Sequence, residues 1–140
     1  MTSRPRFHLA FPVNDLAEAR AFYTGLLGCP EGRSSDDWVD FDFFGHQIVA
    51  HLSPNEAGHK AFNEVDGDAV PVRHFGAILS MTDWKELAAK LKQQKVSFII
   101  EPDIRFEGLP GEQATFFFLD PSGNALEFKA FPDESRIFAR

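Results

Sequence analysis

The chain reads the same way twice. Residues 7–13 (Phe-His-Leu-Ala-Phe-Pro-Val) alternate like a strand and lead into an Asp-x-x-Glu box at Asp15 and Glu18, in which the aspartate accepts backbone N–H bonds and the glutamate reaches back. Leu16, Ala19, Phe22, Leu26 and Leu27 follow at helical spacing, an amphipathic helix closed by Gly28. Short β segments come next at 31–34, 38–44 and 46–52, the last two joined at Gly45. After a stretch of loop composition containing Pro54, Asn55, Gly58, Gly67, Asp68 and Pro71, the order restarts. Residues 74–80 read as a strand, Asp83 and Glu86 repeat the box, and Trp84, Leu87, Ala88 and Leu91 make a helical stripe. Strands are expected at 96–100, 114–119 and 125–131, with a loop over 102–111. A duplicated order of strand, helix and three strands outranks any local reading. It implies module one at about 6–53, a linker at 54–72, module two at about 73–131 and a tail at 132–140. Each module alone is too small to bury a core well, so the two are expected to pair, within the chain or with a second copy.

Composition removes several classes of partner. A net charge of −7 disfavours nucleic acid, whose backbone needs clustered Lys and Arg. No apolar run approaches the roughly 20 residues of a membrane span, and the opening Met-Thr-Ser-Arg-Pro-Arg lacks the apolar segment of a signal peptide. A cytoplasmic location without membrane association is the expectation. Cys29 is alone, which excludes an intrachain disulfide and a cysteine metal cluster. Sixteen phenylalanines against one tyrosine point to an apolar core or cavity that avoids phenolic hydroxyls.

The most informative local stretch is Asp120-Pro-Ser-Gly-Asn, a turn sequence between two strand-like runs, hence a β-hairpin. In its second strand Leu126, Phe128 and Ala130 point one way, and Ala125, Glu127 and Lys129 the other. Glu127 is thus a carboxylate in mid-strand, costly to bury unless something cationic meets it. The preceding strand is apolar on both faces, so both are covered, one by helices and the other as the wall of a cleft. His8 and His74 each open a module. Two neutral imidazoles and a carboxylate can hold Fe²⁺, Mn²⁺, Zn²⁺ or Ni²⁺ and leave coordination positions open. The residues alone leave a second reading standing, of half-buried histidines and a rim glutamate. On strand 46–52, Gln47, Val49 and His51 share one face. Lys129 shares the face of Glu127, and Gln113 borders the loop Phe106-Glu-Gly-Leu-Pro-Gly111. Gln113, Phe116, Phe118 and Lys129 are taken as cleft candidates with Gln47. His46 and His59 lie in or beside expected turns and read as solvated.

His8-Leu-Ala-Phe-Pro-Val-Asn-Asp15, Ala21-Phe-Tyr-Thr-Gly-Leu-Leu-Gly28, His74-Phe-Gly-Ala-Ile-Leu and Phe118-Leu-Asp-Pro-Ser-Gly-Asn-Ala-Leu-Glu127 together resemble the vicinal oxygen chelate superfamily. That superfamily includes glyoxalases, extradiol dioxygenases, epimerases and the fosfomycin and bleomycin resistance proteins. The resemblance implies an α+β fold of two βαβββ modules, forming an open, curved mixed β-sheet barrel with its helices outside. It implies a metal held by His8, His74 and Glu127, with iron favoured. His51 resembles the unligated acid–base histidine of extradiol enzymes, with a fourth ligand as the alternative role. Gln47 is the weaker fourth-ligand candidate. The chain departs from the extradiol pattern in lacking a cleft tyrosine before the last turn, and from the glyoxalase pattern in having no Asp or Glu on strand 46–52. The expected function is a metal-dependent, dioxygenase-like oxidoreductase that chelates a small anionic substrate through two adjacent oxygens, as a homodimer. The alternatives are a glyoxalase- or epimerase-type lyase or isomerase on the same metal, and a non-catalytic drug-binding protein.

Overall fold

The computed structural model describes residues 4–57, 62–65 and 68–138; His59 lies outside them. Module one runs β1 (His8–Val13), α1 (Leu16–Arg20) with a π-helical continuation (Ala21–Leu26), β2 (Glu31–Ser34), β3 (Trp38–Phe43) and β4 (His46–Leu52). Module two runs β7 (His74–Leu79), α2 (Met81–Gln93), β8 (Phe98–Arg105), β9 (Gln113–Leu119) and β10 (Ala125–Ala130). Between them β5 (Phe62–Val65) and β6 (Asp68–Pro71) form a two-stranded antiparallel sheet where only loop was expected.

The duplication is visible in the topology. The sheets are ordered β1-β4-β3-β2 and β7-β10-β9-β8, each an open, mixed sheet in which the first strand pairs parallel with the last. The α+β class and the two βαβββ modules follow directly. No helix among the described residues is long and apolar enough to cross a membrane.

Local chemistry explains where the elements begin and where expectation slipped. Asp15 Oδ1 accepts the Glu18 N–H at 2.9 Å, as its box requires. In module two the cap is Ser80, whose Oγ accepts the Asp83 N–H at 3.1 Å. The box there is Ser80-Met-Thr-Asp83, one turn earlier than expected. The π-helical turn buries Phe22 and Tyr23 together, so Tyr23 takes the inward place that strict helical spacing assigns to Leu26. Strand β8 extends through Pro102 to Arg105, where a loop was expected. It is an edge strand, and a proline that donates nothing is tolerated there.

Residue contacts divide the chain into two compact units, 1–58 with Asp120–Asn124, and 59–119 with 125–140. In the first, Tyr23 sits between Phe11 and Phe41, ring centroids 5.4 and 5.3 Å away. Its hydroxyl donates to Asp120 Oδ2 at 2.8 Å. Asp120 also accepts the N–H groups of Ser122 and Asn124 and the Asn124 amide, at 2.8 to 3.0 Å. Asn124 donates in turn to the Pro12 carbonyl at 2.8 Å. The Asp-Pro-Ser-Gly-Asn turn is therefore a buried polar knot, with Gly123 supplying the left-handed residue at φ +86°. In the second unit Trp84 donates to the Phe128 carbonyl at 2.9 Å and its ring lies 5.4 Å from Phe116. Phe116, Phe118 and Phe128 fill the space beneath α2.

Burial, then the charge of Asp120 and the hydrogen bond to it, pushes the Tyr23 phenol well above its ordinary range. The folded value exceeds the unfolded one, so this stability is complete below about pH 10 and is lost as pH rises past it. Because Tyr23 is the chain's one tyrosine, tyrosinate absorbance reports on it alone. In an alkaline titration that absorbance is expected to appear only as circular dichroism is lost. Ionisation near pH 10 with the fold intact would contradict the knot.

Candidate functional site

Glu127 stands in the middle of β10 opposite Gly76 of β7 and Phe117 of β9. A Cβ at Gly76 would lie 1.5 Å from the Glu127 carbonyl oxygen, so the glycine is what lets β10 lie alongside β7. Thr115, fully buried, donates its hydroxyl to Glu127 Oε2 at 2.6 Å. The other oxygen, Oε1, lies 3.5 Å from His74 Nε2 and 4.0 Å from Lys129 Nζ. His74 Nδ1 is 2.7 Å from the Pro71 carbonyl, and its ring packs edge-on against Phe117. A carbonyl oxygen only accepts, so Nδ1 carries a proton, and in a neutral ring the lone pair is then on Nε2.

This pair fits a divalent cation. Two donors each about 2.1 Å from one ion, at a tetrahedral angle, are about 3.4 Å apart. Both donors also have their other polar atom engaged, the outer-shell arrangement that fixes metal ligands. The two groups line a cavity of about 210 Å³ with Arg105, Gln113, Lys129, Phe117 and Ile100. Arg105 and Gln113 are cross-strand partners at the β8–β9 edge.

In the other unit His8 is opposite Gln47 across the parallel β1–β4 pair. His8 Nδ1 lies 2.7 Å from Gln47 Oε1, and Gln47 Nε2 donates to Asp40 Oδ2 at 3.0 Å. The His8 ring is thus held like that of His74, Nδ1 on a carbonyl and Nε2 open. Gln47, a fourth-ligand candidate by sequence, spends its oxygen on His8. His51 is opposite Pro12, four residues further along β4, or about 13 Å of strand. That separation places it beyond ligand distance of an ion on His8. His46 is exposed and accepts the Phe7 N–H at 2.9 Å.

The structure therefore brings together His74, Glu127, Lys129 and Gln113 in one unit, and His8 with Gln47 in the other. Among the described residues no three His, Cys, Asp or Glu side chains gather closely enough to hold a metal. Phe116 and Phe118, expected in the cleft, face away from Glu127 into the core with Trp84 and Phe128; the cleft ring is Phe117. Sequence reading missed Thr115 and Asp40. Asp40 carried the same signal as Glu127, a carboxylate in mid-strand between core residues (Val39 and Phe41).

Comparison with known proteins agrees with this architecture. The family model described as the glyoxalase/bleomycin resistance protein/dioxygenase superfamily matches residues 7–128. A solved glyoxalase/bleomycin resistance protein/dioxygenase from Alicyclobacillus acidocaldarius is 38% identical, covering 95% of this chain and 96% of that one, with a TM-score of 0.79. The genomically encoded fosfomycin resistance protein of Listeria monocytogenes shares the fold at 19% identity, TM-score 0.68, over 98% of this chain and all of that one. So does the lactoylglutathione lyase of Agrobacterium tumefaciens, at 14% identity and TM-score 0.65 over the whole of both chains. No curated protein sequence matches. With duplicated βαβββ modules and a family match across nearly its whole length, the chain belongs to the glyoxalase/bleomycin resistance protein/dioxygenase superfamily, the vicinal oxygen chelate proteins.

Proposed function

We propose that this chain is a metal-dependent enzyme acting on a small anionic substrate with two adjacent oxygens. The observation that carries the proposal is the His74–Glu127 pair, two donor atoms 3.5 Å apart with their partner atoms already engaged. His8 is the proposed third ligand, contributed within the chain or by a second copy in a homodimer. Bound there, a divalent ion, Fe²⁺ first and Mn²⁺, Zn²⁺ or Ni²⁺ otherwise, supplies Lewis acidity to chelated substrate oxygens. Two neutral imidazoles and one carboxylate leave the dication a net positive charge, which favours an anionic chelate.

The chain's own residues supply the rest. Arg105 and Lys129 bring positive charge to the cavity that contains the His74 and Glu127 donors, and Gln113 adds an amide. Phe117, Ile100 and Val70 give it apolar walls, suited to an aromatic or otherwise apolar substrate body from which water is excluded. His51 is exposed on the face of β4 that carries Gln47. Its proposed role is to take and return the substrate proton, since the strand register separates it from the ligand position.

The test is metal analysis of anaerobically purified protein, followed by oxygen uptake with catechols in parallel with hemithioacetal turnover. Bound iron and catechol-dependent oxygen uptake are the expected result. Hemithioacetal turnover without oxygen uptake would move the chemistry to a lyase on the same ligands. Protein that takes up no divalent metal would leave a binding protein. Mixing His8→Ala with Glu127→Ala protein then shows how the trio is assembled. Recovery of activity in the mixture means that the ligands come from two chains.

A further inference from the structure

We infer that Asp40 is a positioning residue: through Gln47 it holds His8 in the Nδ1–H tautomer and so keeps Nε2 available as a ligand. The inference rests on the proposal that His8 binds the metal. The chain of reasoning starts at the carboxylate, which can only accept. Gln47 must therefore turn its NH₂ toward Asp40 and its oxygen toward His8. That oxygen also only accepts, so the proton of a neutral His8 belongs on Nδ1.

Asp40 is itself held in place. It is buried, and its Oδ1 accepts the backbone N–H of Arg33. A Cβ at Gly32 would sit 2.3 Å from that oxygen, so the absent side chain at position 32 is the space the carboxylate occupies. Among the described residues, the groups that donate to Asp40 are two neutral N–H groups. A buried carboxylate met only by neutral donors is costly to the fold, and here it fixes the orientation of an amide.

Asn at position 40 inverts this logic without changing shape. Its oxygen stays on the Arg33 N–H, which can only donate, and its NH₂ then faces Gln47. The Gln47 amide flips to accept it and presents its own NH₂ to His8. His8 Nδ1 becomes an acceptor, and the ring proton moves to Nε2, the nitrogen needed for the metal.

The experiment is nitrogen-15 NMR of the imidazoles in metal-free protein, at a pH where the rings are neutral, with metal affinity measured by chelator competition. His8 is expected as the Nδ1–H tautomer in the unmodified protein. In Asp40→Asn and Gln47→Leu it should shift toward Nε2–H, with affinity lower by about 10- to 100-fold. Gln47 is exposed, so its variant serves if the Asp40 variant fails to fold. An unmodified protein already in the Nε2–H form, or variants that keep Nδ1–H and full affinity, would overturn the inference. His8→Ala separates the two proposals. Metal retained in that variant removes His8 from the centre altogether, whereas metal lost there but unaffected in Asp40→Asn overturns only the role of Asp40.

Discussion

Glu127→Ala protein is expected to release its divalent metal to chelator concentrations that leave the unmodified protein loaded, with affinity down by more than about 100-fold. Loss of an outer-shell partner alone costs roughly 10- to 100-fold, and removing a ligand should exceed it. Thr115→Val provides that lesser case, since the Thr115 hydroxyl holds Oε2 and thereby aims Oε1. The alanine variant also leaves the buried Thr115 hydroxyl without its acceptor, at about 1 to 3 kcal/mol. Glu127→Gln separates the two effects, because its amide oxygen can still accept from Thr115 while the charge is gone. Equilibrium unfolding of the Gln variant should match the unmodified protein, with metal retention still weakened. Metal held at full affinity by both variants would remove Glu127 from the centre.

The second large effect is on stability. Asp120→Ala should destabilise the fold by about 3 to 5 kcal/mol, because four donors lose one acceptor group in a buried setting. For a chain of this size that is a drop of about 10 to 20 °C in the thermal midpoint. Tyr23→Phe removes a single donor and leaves the other three bonds to Asp120 in place, so it should cost about 1 kcal/mol. An Asp120→Ala midpoint within about 3 °C of the unmodified protein would show that water replaces the carboxylate without penalty.

Much of this was legible in the chain because side-chain direction in a strand has a period of two. That rule alone placed Glu127 and Lys129 on one face of β10 and Leu126 and Phe128 on the other. It gave no ground for taking Phe116 and Phe118 rather than Phe117 as the cleft rings, since a strand apolar on both faces carries no parity signal. The pairing register decides, by setting Phe117 opposite Glu127. Register also separates Gln47 from His51, which parity puts on one face. Partners such as Thr115 and Pro71 were illegible for a different reason. A hydroxyl and a backbone carbonyl have no composition signal, and only the approach of two strands, or the turn before one, brings them to a ligand. The cap at Ser80 was readable, but Asp83 offered a stronger-looking match to the first module and drew the helix start inward.

The loop Asp120–Asn124 joins two strands of the second module yet belongs to the first unit, anchored to Pro12, Asn14 and Tyr23. A single scission between the repeats therefore yields no self-sufficient fragments. The N-terminal piece would lack five residues that complete its interior, and the C-terminal piece would carry them as an orphaned segment. Gene fission, circular permutation or exchange of halves with a relative must carry that loop along with its hosts. The two repeats share one segment, although each has the full complement of strands to look like a unit of its own.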